Sequence, residues 1–286
     1  MSSLREMLAE RSALVAPGVY DGLSASLTRD AGFRAAYMSG AAVAATLGLP
    51  DIGLATQTEM ADRVGLITRV LGVPLVADAD TGFGDETHVY RTVQLYERAG
   101  AAGIQFEDQV FPKRCGHLDN KEVVPARDFA TMIGAAVAAR TNPDTVIIAR
   151  TDARAPHGFE EAVRRIHLYA EAGADMVFLE APQTAEEIMA VPGAVGVPAL
   201  FNLVPRGKTP AVTLEQLQDA GYGLVILPVM NIGAAATAMR SALGRAAKGD
   251  LSTDGQDSPR ELFDSVGIGF WEDLRHGHGG AHGGHH

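Results

Sequence analysis

The stretch Pro74-Leu75-Val76-Ala77-Asp78-Ala79-Asp80 is an apolar run that ends on two carboxylates. A segment of strand length with nearly unbroken hydrophobicity is the pattern of a parallel strand buried on both faces. Seven further runs repeat it, at residues 15–20, 35–39, 103–107, 145–150, 175–180, 198–202 and 223–228. Nearly every one finishes on a polar residue: Asp21, Ser39, Glu107, Arg150, Glu180 and Asn202 join Asp78 and Asp80. The simple end of a strand accounts for a Ser or an Asn. It does not account for charged groups at the ends of so many apolar strands.

Amphipathic segments lie between most of the runs. Residues 159–172 place Ala162, Ile166, Tyr169 and Ala170 along one helical face, with Glu160, Glu161 and Arg164 outside. One joint recurs before a strand: Asp30-Ala31-Gly32, Arg98-Ala99-Gly100, Glu171-Ala172-Gly173 and Asp219-Ala220-Gly221. Glycine there supplies the left-handed residue that closes a helix. Eight strands alternating with helices leave two α/β architectures, a closed (β/α)8 barrel or a doubly wound open sheet. No G-x-G-x-x-G opens a helix after a strand, which removes the main support for the open sheet. Barrel enzymes assemble their sites from the C-terminal ends of several strands, where the charged residues fall here. The reading is a (β/α)8 barrel over 1–250, a C-terminal helical appendage over 251–275 and a His/Gly tail over 276–286. The tail is low-complexity sequence that binds transition metals loosely or serves as a purification device.

A net charge of −11 over 286 residues argues against nucleic acid or an anionic membrane as partner. It leaves room for a small anionic substrate, because a site's field is local. The single cysteine cannot make an intramolecular disulfide and suits a reducing compartment, so the cytoplasm is expected. Arg5, Glu6, Glu10 and Arg11 interrupt the N-terminal segment where a signal peptide would need an apolar core. No run approaches the roughly 18 apolar residues of a membrane span.

Three constellations carry chemistry. Asp78 and Asp80 end one strand two residues apart and are expected on one face, where they repel unless a cation lies between them. Mg2+ suits such a pair, since it takes few protein oxygens and keeps waters that substrate can replace. The D-x-D-x-G string also begins a calcium loop, but Val89 stands where that loop needs its bidentate acid. Glu107 and Asp108 are expected to complete the shell through water, and Asp51 is either a further acid or a turn former. Arg150 is either a structural partner of Asp152 or Glu180, or a clamp for a substrate carboxylate, with Glu180 and Asn202 as second contacts. Finally Lys113-Arg114-Cys115-Gly116-His117 surrounds the only thiol with cations, which favour its reactive, labile state. Metal, guanidinium and an acidic thiol at one barrel mouth point to a retro-aldol lyase. The metal offsets the oxyanion, and the thiol returns a proton to the carbanion.

SGAAVAA (39–45), DADTGFG (78–84), EDQVFPKRCGH (107–117), ARTDA (149–153) and FLEA (178–181) together resemble the isocitrate lyase/phosphoenolpyruvate mutase superfamily. The likeness runs from about residue 14 to residue 248, with the motifs in order. It implies the C–C lyase branch, because the mutase and phosphonate-cleaving branches carry a cysteine-free loop. The implied reaction is Mg2+-dependent cleavage of a 2-hydroxy di- or tricarboxylic acid, first of all 2-methylisocitrate to pyruvate and succinate. Mn2+ is an implied substitute. Cleavage of 2,3-dimethylmalate or another 2-alkylmalate and hydrolysis of oxaloacetate are the near alternatives. A phosphonate enzyme and a non-catalytic acid-binding barrel are the distant ones.

By the same resemblance Cys115 is the general acid, within a loop whose Lys113 and His117 also take part in catalysis. Asp78 and Asp80 would hold the metal, with Asp51 and Glu107 assisting through water. Ser39, Gly40 and Ala41 would bind the 2-oxo acid portion, with Tyr37 close by. Arg150, Glu180 and Asn202 would contact substrate and manage its hydroxyl proton, and Gly116 and His117 would contact it from the loop. Two departures stand out. Ala41 replaces a glycine common in the substrate loop, and residues 203–210 lack the Thr-Glu pair expected of a standard 2-methylisocitrate lyase. The family also implies a homotetramer that swaps its last barrel helix; 261–274, with Leu262, Phe263, Val266, Phe270 and Trp271, is apolar enough for an interface arm.

Overall fold

The computed structural model describes residues 2–10, 12–114, 116 and 120–277. Eight parallel strands close into one barrel in sequence order: β1 (Leu14–Val19), β2 (Ala36–Met38), β3 (Leu75–Asp78), β4 (Gly103–Glu107), β5 (Val146–Thr151), β6 (Met176–Leu179), β7 (Ala199–Asn202) and β8 (Leu224–Leu227). All eight apolar runs are strands, and β1 pairs with β8 to complete the ring. The four Ala-Gly joints place Gly32, Gly100, Gly173 and Gly221 at positive φ, so each connection turns sharply into the next strand.

Period-2 alternation divides the strands into two packing layers. Outward residues such as Ala77, Ile104, Ile147 and Ala149 pack under the helices Gln57–Leu71, Glu86–Arg98 and Ala126–Ala139. Inward residues fill the barrel: Ala16, Val76, Ile148, Met176, Phe178, Leu200, Leu224 and Ile226 form one cluster. Leu4 and Met7, from the short helix Leu4–Leu8, join that cluster. Leu4 lies over Gly103, where a Cβ would come within 2.9 Å of its side chain. Burial of such side chains is worth about 1.5–3 kcal/mol each, so the filled interior is a main source of stability.

The same alternation selects the residues at the barrel mouth. Register pairs Glu107 with Arg150 and Arg150 with Phe178, and Asn202 with Ile226. Continuing the inward set upward from Ile148, Phe178 and Leu200 therefore reaches Arg150, Glu180 and Asn202. Continuing it from Val76 reaches Asp78.

The C-terminal segment is built differently. The helix Met230–Ala246 has no buried residue, and Met239 and Leu243 are 55% and 70% exposed. Beyond it, Pro259–Asp264 and Ile268–Arg275 are linked by Arg260 to Glu272, and within the second helix Phe270 and Trp271 meet edge to face. Leu262, Phe263, Val266, Trp271 and Leu274 are exposed.

Candidate active site

A pocket opens at the C-terminal ends of the strands, enclosing about 90 Å³. Tyr37, Ser39, Ala41, Asp51, Asp78, Glu107, Lys113, Gly116, Arg150, Glu180 and Asn202 line it, so residues at or just beyond the ends of β2 to β7 meet there with loop residues. Arg114 reaches the same pocket. Val204, Ile226, Pro228 and Val229 make an apolar wall. Cys115 and His117 lie outside the described residues.

The acidic side begins at β3. Asp78 is its last residue, but Asp80 lies beyond the strand at φ +47. The two carboxylates therefore do not converge by strand alternation, as the sequence suggested. They converge because the chain turns back after β3, with the Asp80 amide donating to Asp78 Oδ1 at 3.1 Å. Gly40 stands against both: a Cβ there would lie 2.8 Å from Asp78 Oδ2 and 3.2 Å from Asp80 Oδ1. Its amide donates to Asp78 Oδ2 at 3.1 Å, so that N–H is committed to the acid. Ser39 caps the helix Gly40–Thr46 by accepting from the Ala42 amide.

Burial pushes the Asp80 carboxyl up to about 6, against the pull of Lys113. Glu107 is also raised well above the usual carboxylate range by burial, with Arg150 and Lys113 opposing. Lys113 lies 2.8 Å from Asp80 and pairs closely with Asp51. Burial alone would lower its affinity for a proton. Asp80, Glu107, Asp51 and Asp78 outweigh burial and hold it charged.

These residues fit a small hard cation. The carboxylates already gather around one ammonium, which Asp80 Oδ1 meets at 2.8 Å, and buried Glu107 Oε1 has no hydrogen-bond partner. Unpaired buried acceptors are rare and mark functional sites. Among the described residues no three His, Cys, Asp or Glu side chains form a ready-made ion cage. A donor set of two carboxylates suits Mg2+, which retains water, better than a fully caged ion.

The opposite side is built on Arg150. It donates from Nε to Asp152 Oδ2 at 2.8 Å and from Nη2 to Asp152 Oδ1 at 3.0 Å, while Glu107 lies at 3.4 Å and Glu180 at 3.9 Å. Its guanidinium also stacks 5.0 Å from the centre of the Phe178 ring. The structural reading of Arg150 is met by Asp152, and the side chain so fixed also lines the pocket. Asn202 Nδ2 donates to Glu180 Oε2 at 3.2 Å, leaving Asn202 Oδ1 buried without a partner. The Tyr37 hydroxyl donates to Gln105 Oε1 at 3.1 Å. Burial, and then Asp78, raise its phenol well above the usual value, so it is a donor here and not a base.

Asp108 does not join the acidic cluster. It is the residue after β4 and points outward, where it accepts from Arg165, Tyr169 and Thr151 and from the Asp152 amide. Residues that the sequence reading passed over also matter. Gln105 shares the inward face of β4 with Glu107 and was legible from that alternation. Lys121, within the polar string Asn120-Lys121-Glu122, carried no local signal.

Comparison with known proteins agrees with this geometry. Residues 4–247 match the family described as phosphoenolpyruvate phosphomutase. The chain is 45% identical to 2-methylisocitrate lyase of Aeropyrum pernix, over 94% of this chain and 88% of that one. It is 44% identical to 2,3-dimethylmalate lyase of Eubacterium barkeri, over 89% and 88%. Among solved structures, oxaloacetate acetylhydrolase with the inhibitor 3,3-difluorooxalacetate superposes with a TM-score of 0.93 at 37% identity, covering 97% and 96%. Phosphonopyruvate hydrolase complexed with oxalate and Mg2+ superposes with a TM-score of 0.86 at 32% identity, covering 96% of each chain. A barrel mouth of this composition, matched over nearly its whole length, places the chain in the isocitrate lyase/phosphoenolpyruvate mutase superfamily.

Proposed function

We propose that this protein is a Mg2+-dependent carbon–carbon lyase that cleaves 2-methylisocitrate, or a close 2-alkylmalate, by a retro-aldol reaction. The observation that carries the reading is the division of one pocket into three sides. Acids that gather a cation face a fixed guanidinium, and the rest is apolar wall. Asp78 and Asp80 would hold the metal, with Asp51 and Glu107 assisting through water. When bound there, Mg2+ supplies a Lewis acid that offsets the negative charge developing on the substrate's C2 oxygen.

The chain's own residues perform the remaining work. Arg150 holds a substrate carboxylate with its planar fork, already oriented by Asp152. Ser39 and the Ala41 backbone hold the part that becomes pyruvate, and Tyr37 donates to its oxygen. Glu180 takes the proton of the C2 hydroxyl, and Asn202 keeps that carboxylate in place. The C2–C3 bond then breaks, its electron pair passing to the succinate fragment as a carbanion stabilised by the adjacent carboxylate. Cys115 gives its thiol proton to that carbon and recovers one from solvent, with Lys113 and His117 keeping the thiolate favourable in between. Gly116 and His117 complete the substrate contacts from the loop. The wall of Val204, Ile226, Pro228 and Val229 supports an alkyl-bearing substrate over oxaloacetate, since it offers a methyl group apolar contact and a hydrated carbonyl nothing.

A panel of 2-methylisocitrate, isocitrate, 2,3-dimethylmalate and oxaloacetate, assayed with Mg2+ or Mn2+ and after chelation, tests the reading. Release of pyruvate and succinate from 2-methylisocitrate supports it. Turnover of oxaloacetate alone, or full activity after chelation, overturns it.

The exposed apolar face of Met230–Ala246 and of the two helices after it supports a homotetramer in which this arm packs on another subunit. Light scattering giving a tetramer is the expected result, and a monomer at assay concentration contradicts it. No helix of the described residues is long and apolar enough to cross a membrane. Together with the single cysteine, that supports a cytoplasmic setting.

A further inference from the structure

Lys121 is 6% exposed, yet it lies outside the pocket wall and has no part in the chemistry above. Its ammonium donates to the Gly116 carbonyl at 2.5 Å and to Asp152 Oδ1 at 2.7 Å. Asp152 Oδ1 is the same oxygen that accepts from Arg150 Nη2 at 3.0 Å. Gly116 in turn lies directly on the site. A Cβ there would fall 2.3 Å from Arg150 Nη2 and 2.4 Å from Glu180 Oε1, so any larger residue would displace those side chains or the backbone that carries it.

From these contacts we infer that Lys121 is a positioning residue, which ties the backbone next to Cys115 to the carboxylate that orients Arg150. One buried ammonium bridges two parts that must act together, the thiol's loop and the substrate clamp. The choice of lysine follows from the geometry. Its tetrahedral donors reach a carbonyl and a carboxylate in different directions, which a planar guanidinium would not do in the same space. The bridge is strong because it is dry. The Lys121 side chain is 1% exposed and Asp152 is fully buried. Burial alone would raise the Asp152 carboxyl. Arg150 and Lys121 overcome this and hold it well below the usual carboxylate range. A carboxylate so firmly charged keeps both cations at their posts.

This rests on the proposed lyase reading in one respect, that the segment around Cys115 lies over bound substrate when the thiol acts. Because Cys115 is the only cysteine, its alkylation rate reports the state of that segment without any catalytic turnover. The experiment compares iodoacetamide modification of the full chain with and without Mg2+ and oxalate, in wild type and Lys121→Met. Losing charge-assisted hydrogen bonds of this kind shifts an equilibrium roughly tenfold or more. Mg2+ with oxalate is therefore expected to slow alkylation of the wild type about tenfold or more, and to leave Lys121→Met nearly unprotected. Thermal melts and far-UV circular dichroism establish that the variant is folded. Should Lys121→Met not fold, Lys121→Gln, which keeps a donor for the Gly116 carbonyl, is read instead and is expected to show reduced protection. A purely structural lysine would lower the melting temperature without altering the protection ratio. Equal protection of wild type and variant overturns the inference alone. A wild-type thiol indifferent to Mg2+ and oxalate overturns the lyase reading with it.

Discussion

Arg150 and Asp152 are joined by two hydrogen bonds, 2.8 Å from Nε and 3.0 Å from Nη2, in a site where Asp152 is fully buried and Arg150 nearly so. The pair sits at the end of β5, one residue on each side of Thr151, and fixes the orientation of the guanidinium that the proposed reaction uses as a clamp. Breaking a buried pair by removing one charge is costly because the partner is left uncompensated, by about 3–5 kcal/mol. Asp152→Asn keeps the shape and removes the charge. It is expected to lower the unfolding free energy obtained from urea titration by an amount of that order, and an unchanged urea midpoint would contradict the role assigned to the pair.

Gly116 makes a sharper test of the loop. Gly116→Ala adds one methyl against Arg150 and Glu180, at separations no Cβ tolerates. The segment must shift, and a displacement of about 1 Å in a site can cost roughly a hundredfold in rate. Steady-state kinetics should show kcat reduced by that order, with a melting temperature close to wild type. A variant with wild-type kcat would mean that Gly116 does not approach Arg150 this closely during turnover.

Metal dependence should vary with pH in a stated direction. The Asp80 carboxyl is raised from its ordinary 3.8 to about 6, chiefly by burial. In the metal-free protein a raised acid contributes stability below its ordinary value, and that contribution is lost as pH rises through about 6. The proton that the folded state holds also competes with the metal. Below pH 6 the apparent Mg2+ affinity should fall by up to about tenfold per pH unit. Calorimetric titration between pH 5 and 7 measures it, with Asp80→Asn expected to abolish binding. Affinity independent of pH across this range would remove Asp80 from the shell.

The fold was almost fully legible because hydrophobicity and strand ends carry it. The run 103–107 coincides with β4 at both ends, and the other seven differ from their strands by a residue or two. Inward alternation then gives Asp78, Glu107, Arg150, Glu180 and Asn202 as a set. What was not legible depends on turns and on distant partners. Asp80 reaches the site through a left-handed turn that periodicity does not encode. Asp108 was misplaced because one step of alternation sends it outward to Arg165, which itself lies buried on a helical face read as apolar. Lys121 shows its role only when Asp152, 31 residues away, comes beside it.

The proposed substrate preference rests on the apolar wall of Val204, Ile226, Pro228 and Val229. One methyl group in an apolar pocket is worth about 1–3 kcal/mol, so kcat/KM for 2-methylisocitrate should exceed that for isocitrate by roughly 10–200-fold. Equal values for the two would show that the methyl group does not meet this wall.

The central claim is that the lone thiol is the proton donor of a C–C lyase, and Cys115→Ser tests it most directly. With 2-methylisocitrate and Mg2+, kcat is predicted to fall by about 10²–10⁴, the loss expected of a missing general acid. Binding of Mg2+ and oxalate, measured by calorimetry, should remain as in the wild type. Turnover undiminished in Cys115→Ser would contradict the account.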